Sequence, residues 1–252
     1  MLTKTLKFDD DVLDVIKSME WADDGRLGVI TGGQLARDLY VRVNKALEAM
    51  GGKWDRKAGG HMFKLDPRSS VDGLLENGSI TVERDGFFET PDVVINRMFE
   101  LVPPPAPGPL VLEPSAGLGA IARQLAGQNL TLVEKNEVRC SALRTEFKNV
   151  MCADFLSLEC GFGGNYYDRI YMNPPFEELQ DIDHVKHAYD LLADGGALVS
   201  VMSESPFFRT DKKAEEFRLW YDRLDSYVEK LPAGSFKESG TGVNARLIVI
   251  CK

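Results

Sequence analysis

Two consecutive prolines stop an apolar run: Ile170-Tyr171-Met172 is followed at once by Asn173-Pro174-Pro175-Phe176. The run reads as the end of a buried strand. Prolines cannot continue a strand ladder, so the chain must turn out at the strand's carboxyl end. In open α/β sheets that is the end where ligands bind. The turn offers an amide side chain, two rigidly placed carbonyls and an aromatic face, a set suited to a planar group that carries an NH2. A plain strand-ending turn with a core phenylalanine uses the same residues, so the neighbouring motifs decide between the two readings.

The chemistry accounts for the residue types. An exocyclic amine on a base is a weak nucleophile because its lone pair is delocalised into the ring. Acceptors placed on both of its hydrogens localise that pair. The side-chain oxygen of Asn173 and the carbonyl of Pro174 are candidate acceptors, with Pro175 keeping the turn rigid. Phe176 is a candidate stacking ring, a contact worth about 1–3 kcal/mol per base.

Upstream, the apolar strand Leu110-Val111-Leu112-Glu113 runs into Pro114-Ser115-Ala116-Gly117-Leu118-Gly119, and residues 120–126 have helical composition. Strand, glycine loop and helix make a nucleotide-type cofactor site, where glycine permits close backbone approach. A second strand, Leu130-Thr131-Leu132-Val133, ends in Glu134, placed to accept from ribose hydroxyls. A third run, Val150-Met151-Cys152-Ala153, ends in Asp154, which can accept from an adenine amine. The stretch 117–122 also fits the dinucleotide fingerprint, with Glu134 as its ribose acid, so a nicotinamide cofactor is the rival reading. Glu113 opposes it, because a carboxylate beside the loop suits a cationic ligand better than a pyrophosphate. Nothing in the nicotinamide reading requires Asn173 to Phe176.

The order of these motifs resembles that of S-adenosylmethionine-dependent adenine-N6 DNA methyltransferases in their gamma arrangement, of phage or bacterial type. Phe87-Phe88-Glu89-Thr90-Pro91 resembles the segment that precedes the first strand and contacts the cofactor. The resemblance implies a cofactor set of Phe88, Thr90, Pro91, Glu113, Pro114, Ser115, Gly117, Gly119, Glu134, Lys135, Asp154, Phe155 and Asn173. Asn173, Pro174, Pro175 and Phe176 match the catalytic motif. Phe236, in a stretch running through residues 236–242 into an apolar strand, matches the late aromatic residue that closes over a flipped base. The likeness covers residues 86–252. It implies a class I methyltransferase fold: a seven-stranded, mostly parallel sheet with one antiparallel strand and helices on both faces. Residues 178–193 and 215–220 read as helices, and 197–202, 227–231 and 247–250 as strands. The prolines between residues 103 and 109 make a stiff bridge from a helix into the first strand.

Residues 1–85 read as a small α+β accessory unit for substrate engagement or dimerisation. Residues 36–50 form an amphipathic helix with Leu39, Val43, Ala46, Leu47 and Met50 on its apolar side. Gly51-Gly52 ends it, a hairpin follows over residues 54–65, and residues 71–85 read as a connector. The gamma enzymes often carry a recognition domain after the catalytic core, whereas this sequence stops after its last strand, so a partner protein is one possible source of target recognition.

The net charge of −9 is unusual for a nucleic-acid enzyme, whose affinity comes chiefly from cations on phosphate. Local basic surfaces can meet that need. Lys53, Arg56 and Lys57, in a stretch with His61, Lys64, Arg68, Trp54, Met62 and Phe63, form one candidate; an ordinary solvated hairpin is the bland reading. Arg209 and Lys212, with Lys213, form the second. At 252 residues and 44% hydrophobic the chain can bury a full core, and no apolar stretch spans a membrane. Cys140, Cys152, Cys160 and Cys251 show no pairing or metal spacing, and His184 and His187 lack companion ligands. The expectation is a reduced, cytoplasmic protein without a metal, monomeric or homodimeric. DNA is its expected substrate, with RNA adenine and protein glutamine amide as alternatives. A non-catalytic cofactor-binding interaction protein is the competing class.

Overall fold

The computed structural model describes residues 2–84, 88–159, 166–237 and 243–252. Phe87, Cys160 and residues 238–242, named above, lie outside the described residues. The chain divides into two compact units, Met1–Asp85 and Gly86–Lys252.

The first unit runs β1 (Leu2–Lys7), α1 (Asp10–Lys17), β2 (Glu20–Trp21), β3 (Leu27–Val29), α2 (Arg37–Ala49), β4 (Lys53–Asp55), β5 (Gly60–Met62), α3 (Arg68–Asn77) and β6 (Ser79–Arg84). Val43, Ala46 and Leu47 recur at helical spacing along α2 and pack with Val12 and Ile16 of α1 and Val71 and Leu74 of α3. Gly51, at φ 89°, lets the chain leave the helix, and the Gly52 amide bonds back to the Leu47 carbonyl at 2.9 Å. β4 and β5 form the expected hairpin at the edge of a four-stranded antiparallel sheet ordered β2-β3-β5-β4. Residues 71–85 are not a connector. Residues 71–77 belong to α3 and 79–84 form β6, which pairs antiparallel with β1 along its whole length, because the first strand needs a ladder partner.

The second unit runs α4 (Asp92–Leu101), β7 (Leu110–Pro114), α5 (Ala120–Gln124), β8 (Asn129–Glu134), α6 (Glu137–Glu146), β9 (Val150–Cys152), β10 (Tyr167–Met172), α7 (Gln180–Asp190), β11 (Leu192–Ser203), α8 (Ser205–Phe208), α9 (Lys212–Tyr221), β12 (Asp225–Lys230) and β13 (Ala245–Cys251). The sheet order is β12-β13-β11-β10-β7-β8-β9, with β13 running opposite to the other six strands. Alternate residues of each strand feed opposite faces, as the two-residue period of a strand requires. Ile170, Met172, Leu198, Ile248 and Ile250 join one core with Ile182 and Val185 of α7 and Phe217 of α9. Tyr171, Val199, Val201, Leu247 and Val249 join the other with Val94, Ile95 and Met98 of α4 and Ile121 of α5. Helices therefore cover both faces, and the strands read as continuous apolar runs.

Three further expectations change. The helix expected over residues 178–193 is a short 3-10 turn, Glu177–Leu179, followed by α7. Glu178 and Leu179 take left-handed backbone angles, φ 53° and 57°, which break the helical run. The strand after it starts at Leu192 rather than residue 197; its register against β10 shifts across residues 193–196, so Asp194-Gly195-Gly196 form an irregularity inside the strand. Finally, Cys140 and Cys152 are joined by a disulfide, with Cα atoms 5.7 Å apart, so the expectation of unpaired thiols fails for these two. α6 folds back between adjacent strands and lays Cys140 over the end of β9, a proximity that a sequence spacing without a familiar motif does not announce.

Candidate active site

From β7 the chain passes to β8 and β9 on one side of the sheet, then returns to β10 on the other. The carboxyl ends of β7 and β10 are therefore neighbours at a topological switch point, the crevice where open α/β sheets bind ligands. Pro114 closes β7, and Asn173 follows β10 directly.

The Asn173 amide nitrogen donates to the Phe88 carbonyl and to the Thr90 hydroxyl, 3.0 Å in each case. A backbone carbonyl can only accept, so the atom facing it must be Nδ2, and the amide orientation is fixed. Both amide hydrogens are thereby engaged, and Oδ1 is the group left to accept from a ligand. Thr90 is 6% exposed, so this support is shielded from water. Pro174 is buried, while Asn173, Pro175 and Phe176 are half-buried, and Phe176 packs against the core on the α4 side.

The glycine loop is held by left-handed residues: Ser115 at φ 58°, Gly117 at 59° and Gly119 at 80°. Gly119 is required twice over, because a Cβ there would also lie 2.9 Å from Cδ2 of Leu143 on α6. The Gly117 amide donates to Oε2 of Glu134 at 2.8 Å. Oε1 of Glu134 accepts from the Asn136 amide at 2.9 Å and pairs with Arg139 Nε at 3.2 Å. The loop and the end of β8 are thus locked together through one buried carboxylate. Arg139 was not among the sequence candidates; one cation early in a helix carries no signal that separates it from a solvated one.

Glu113 is buried to 2% exposure. The Ala122 amide donates to its carboxylate, yet Oε2 has no hydrogen-bond partner among the described residues. Burial pushes this carboxyl well above the ordinary range. A buried oxygen left without a donor is expensive, and it marks a place where a cationic or N–H-bearing ligand would be favoured.

The sequence matches no family profile and no curated protein. Solved structures do match. A type I restriction-modification methyltransferase subunit from Streptococcus thermophilus aligns at 18% identity and TM-score 0.56, covering 74% of this chain and 48% of that one. The type I restriction enzyme EcoKI M protein aligns at 15% identity and TM-score 0.54, covering 87% and 55%. The fold is that of the class I methyltransferases. The 23S rRNA methyltransferase ErmE shares it at 20% identity and TM-score 0.50, covering 66% of this chain and 70% of that one. The chain spans about half the length of the two type I subunits.

In this methyltransferase fold the other candidates are less uniform. Asp154 is exposed and caps the turn Phe155–Ser157 by accepting from the Leu156 amide at 3.0 Å. Phe155 is 3% exposed and wedged between His184 and His187, with ring centroids 5.7 and 4.8 Å away, so its ring is core rather than an open face. Lys135 is exposed beside Glu134. Phe236 is 2% exposed and belongs to the core under α4, so it presents no free ring for stacking. The segment around it instead lines a cleft of about 760 Å³ with Thr90, Pro91, Asp92, Arg123, Gln124 and Lys237.

The basic candidates also differ from one another. Arg209 pairs with Asp211 at 2.6 Å, Lys213 with Asp183 at 2.6 Å, and Lys212 approaches Glu216 at 3.7 Å, so this cluster is largely neutralised from within. In the first unit, Lys53, Arg56 and Lys57 are exposed on the β4–β5 hairpin. Trp54 is half-exposed there, its edge held by Tyr40 and His61. His61 is not part of a cationic surface. It is fully buried, burial lowers its pKa, and Nε2 bonds the Asn44 side chain at 2.8 Å. Arg68 is tied to Asp66.

Proposed function

We propose that this protein is an S-adenosylmethionine-dependent methyltransferase acting on the exocyclic N6 amine of adenine in DNA. One observation carries the reading: Asn173, at the switch point, has both amide hydrogens engaged by Phe88 and Thr90, so its oxygen is the group left to accept from a ligand. An oriented acceptor beside the Pro174 carbonyl and the Phe176 ring suits an aromatic amine.

The residues present fit the cofactor. The unpartnered oxygen of Glu113 suits its ammonium group, the left-handed glycines admit close backbone approach, and Glu134 and Asp154 supply acceptors for ribose and adenine. When bound, S-adenosylmethionine supplies an electrophilic methyl group on a positively charged sulfur. The protein's own part is positional and electrostatic. Asn173 and Pro174 polarise the amine, Phe176 fixes the ring plane, and the target adenine must leave a base stack to reach them. The exposed Lys53, Arg56 and Lys57, with Arg209 and Lys212, are the proposed phosphate contacts.

Fold similarity to type I restriction-modification methyltransferase subunits favours DNA. RNA adenine is the second reading, favoured by the likeness to ErmE, of which a larger share is covered. Labelled S-adenosylmethionine incubated separately with unmethylated genomic DNA and with unmethylated total RNA, followed by nucleoside mass spectrometry, tests the proposal. Labelled N6-methyladenine is expected. Label only in RNA would favour the second reading, and no transfer to either nucleic acid would overturn both.

A further inference from the structure

The eight residues between Met172 and Asp181 form an arch with two footings. At one end Met172 is the last residue of β10, hydrogen-bonded in register with Ser200 of β11. At the other end Asp181, in the first turn of α7, is fully buried. Its Oδ2 accepts from both the amide and the hydroxyl of Ser203, at 2.9 and 2.8 Å, and Oδ1 accepts from the Ile182 amide at 3.1 Å. Ser203 is the last residue of β11. Both footings therefore stand on the same strand.

The arch between them is under strain. Glu178 and Leu179 are consecutive non-glycine residues in the left-handed region, each costing about 1–3 kcal/mol. Such conformations persist only where the surroundings over-determine them. Here the constraints are Leu179 buried at 4% exposure, the Lys213 ammonium of α9 on the Glu178 carbonyl at 3.3 Å, and the Asp181 carboxylate on Ser203. The arch carries Asn173, Pro174, Pro175 and Phe176.

We propose that Asp181 is a positioning residue: by clamping the start of α7 to Ser203 it sets where the Pro174 carbonyl and the Phe176 ring stand relative to Asn173. The proposal rests on the methyltransferase reading for its kinetic consequence, but not for its structural one. Burying a carboxylate is costly even when it is hydrogen-bonded, and burial pushes Asp181 up to about 6 despite its three donors and the Lys213 charge. A role in fixing the arch accounts for a group that packing alone would not favour.

The test uses Asp181→Asn and Ser203→Ala in the full chain. Hydrogen exchange should show faster exchange of the amides in 176–182 in both variants, with β10 and β11 as protected as before. For methyl transfer, kcat should fall roughly 10- to 100-fold with KM for the cofactor within about threefold, since small displacements of reacting groups are costly while cofactor contacts are untouched. The double variant should lose little more than Asp181→Asn alone, because the hydroxyl bond that Ser203→Ala removes is one of the three bonds Asp181 accepts. Unchanged exchange in the arch, or wild-type kcat in both variants, would overturn the proposal. If the wild type transfers no methyl group at all, the functional reading fails instead, and the exchange measurement still decides whether Asp181 holds the arch.

Discussion

Asn173 Nδ2 lies 3.0 Å from Thr90 Oγ1, a contact that joins a residue following β10 to one that precedes α4. Together with the Phe88 carbonyl it dictates which way the amide faces. Thr90→Val keeps the shape and removes one acceptor. A neutral hydrogen bond of this kind is worth about 1 kcal/mol, so kcat is expected to fall about fivefold or more, with cofactor affinity little changed. Asn173→Ala removes the acceptor itself and should abolish transfer while cofactor affinity stays within a few fold. Steady-state kinetics beside cofactor titration separate the two effects, and normal turnover by Asn173→Ala would end the proposed mechanism.

Glu113 gives a pH prediction. Burial holds its carboxyl above the ordinary range, so the folded protein keeps this proton to higher pH than the unfolded chain. Its stabilising contribution is complete at low pH and is lost as pH rises from the ordinary carboxylate value through the raised one. A cation seated at Oε2 favours the ionised form and expels the proton. Cofactor binding should therefore tighten as pH rises and release a proton, measurable by calorimetry in buffers of different ionisation enthalpy. Glu113→Gln should bind about tenfold or more weakly, without proton release. Identical heats in all buffers for the wild type would exclude this role.

The apolar runs at residues 110, 130, 150 and 170 were legible because buried parallel strands are continuous in sequence, and their polar ends fall where the site lies. The Asn173–Thr90 contact was not, since it joins residues far apart in the chain that share no periodicity. Asp181 did leave a trace. It lies on the same helical face as Val185 and Ala188, an acid in an apolar stripe, but only the position of Ser203 explains it. Phe236 misled because an aromatic in a late loop suits stacking and core packing equally, and burial decides between them. The left-handed angles at Glu178 and Leu179 had no signal at all, for neither residue type favours them.

The Cys140–Cys152 bridge ties α6 to the strand that leads to Asp154. Closing a loop of this length is worth roughly 2–3 kcal/mol through the unfolded chain. Cys140→Ser should lower the urea midpoint by a corresponding amount, and the wild type in reductant should match the variant. A wild type indifferent to reductant, with no linked peptide under non-reducing digestion, would show that the thiols do not pair in solution.

Lys53, Arg56 and Lys57 stand exposed on the β4–β5 hairpin, whereas Arg209 and Lys213 already face acidic partners. Free cations release counterions when they meet phosphate, and paired ones must first give up their partners. The hairpin should therefore contribute more to nucleic-acid affinity than the second cluster, despite an overall charge of −9. Each phosphate neutralised adds about 0.9 to the salt slope on duplex DNA. Replacing all three hairpin cations by Glu should flatten the plot of log affinity against log salt by about 2–3, leaving cofactor binding as it was. Arg209→Glu with Lys212→Glu should change the slope by about 1 at most. A reversed ranking would move the phosphate contacts to the carboxyl end of β11, and an unchanged slope in both variants would remove these five residues from the interface.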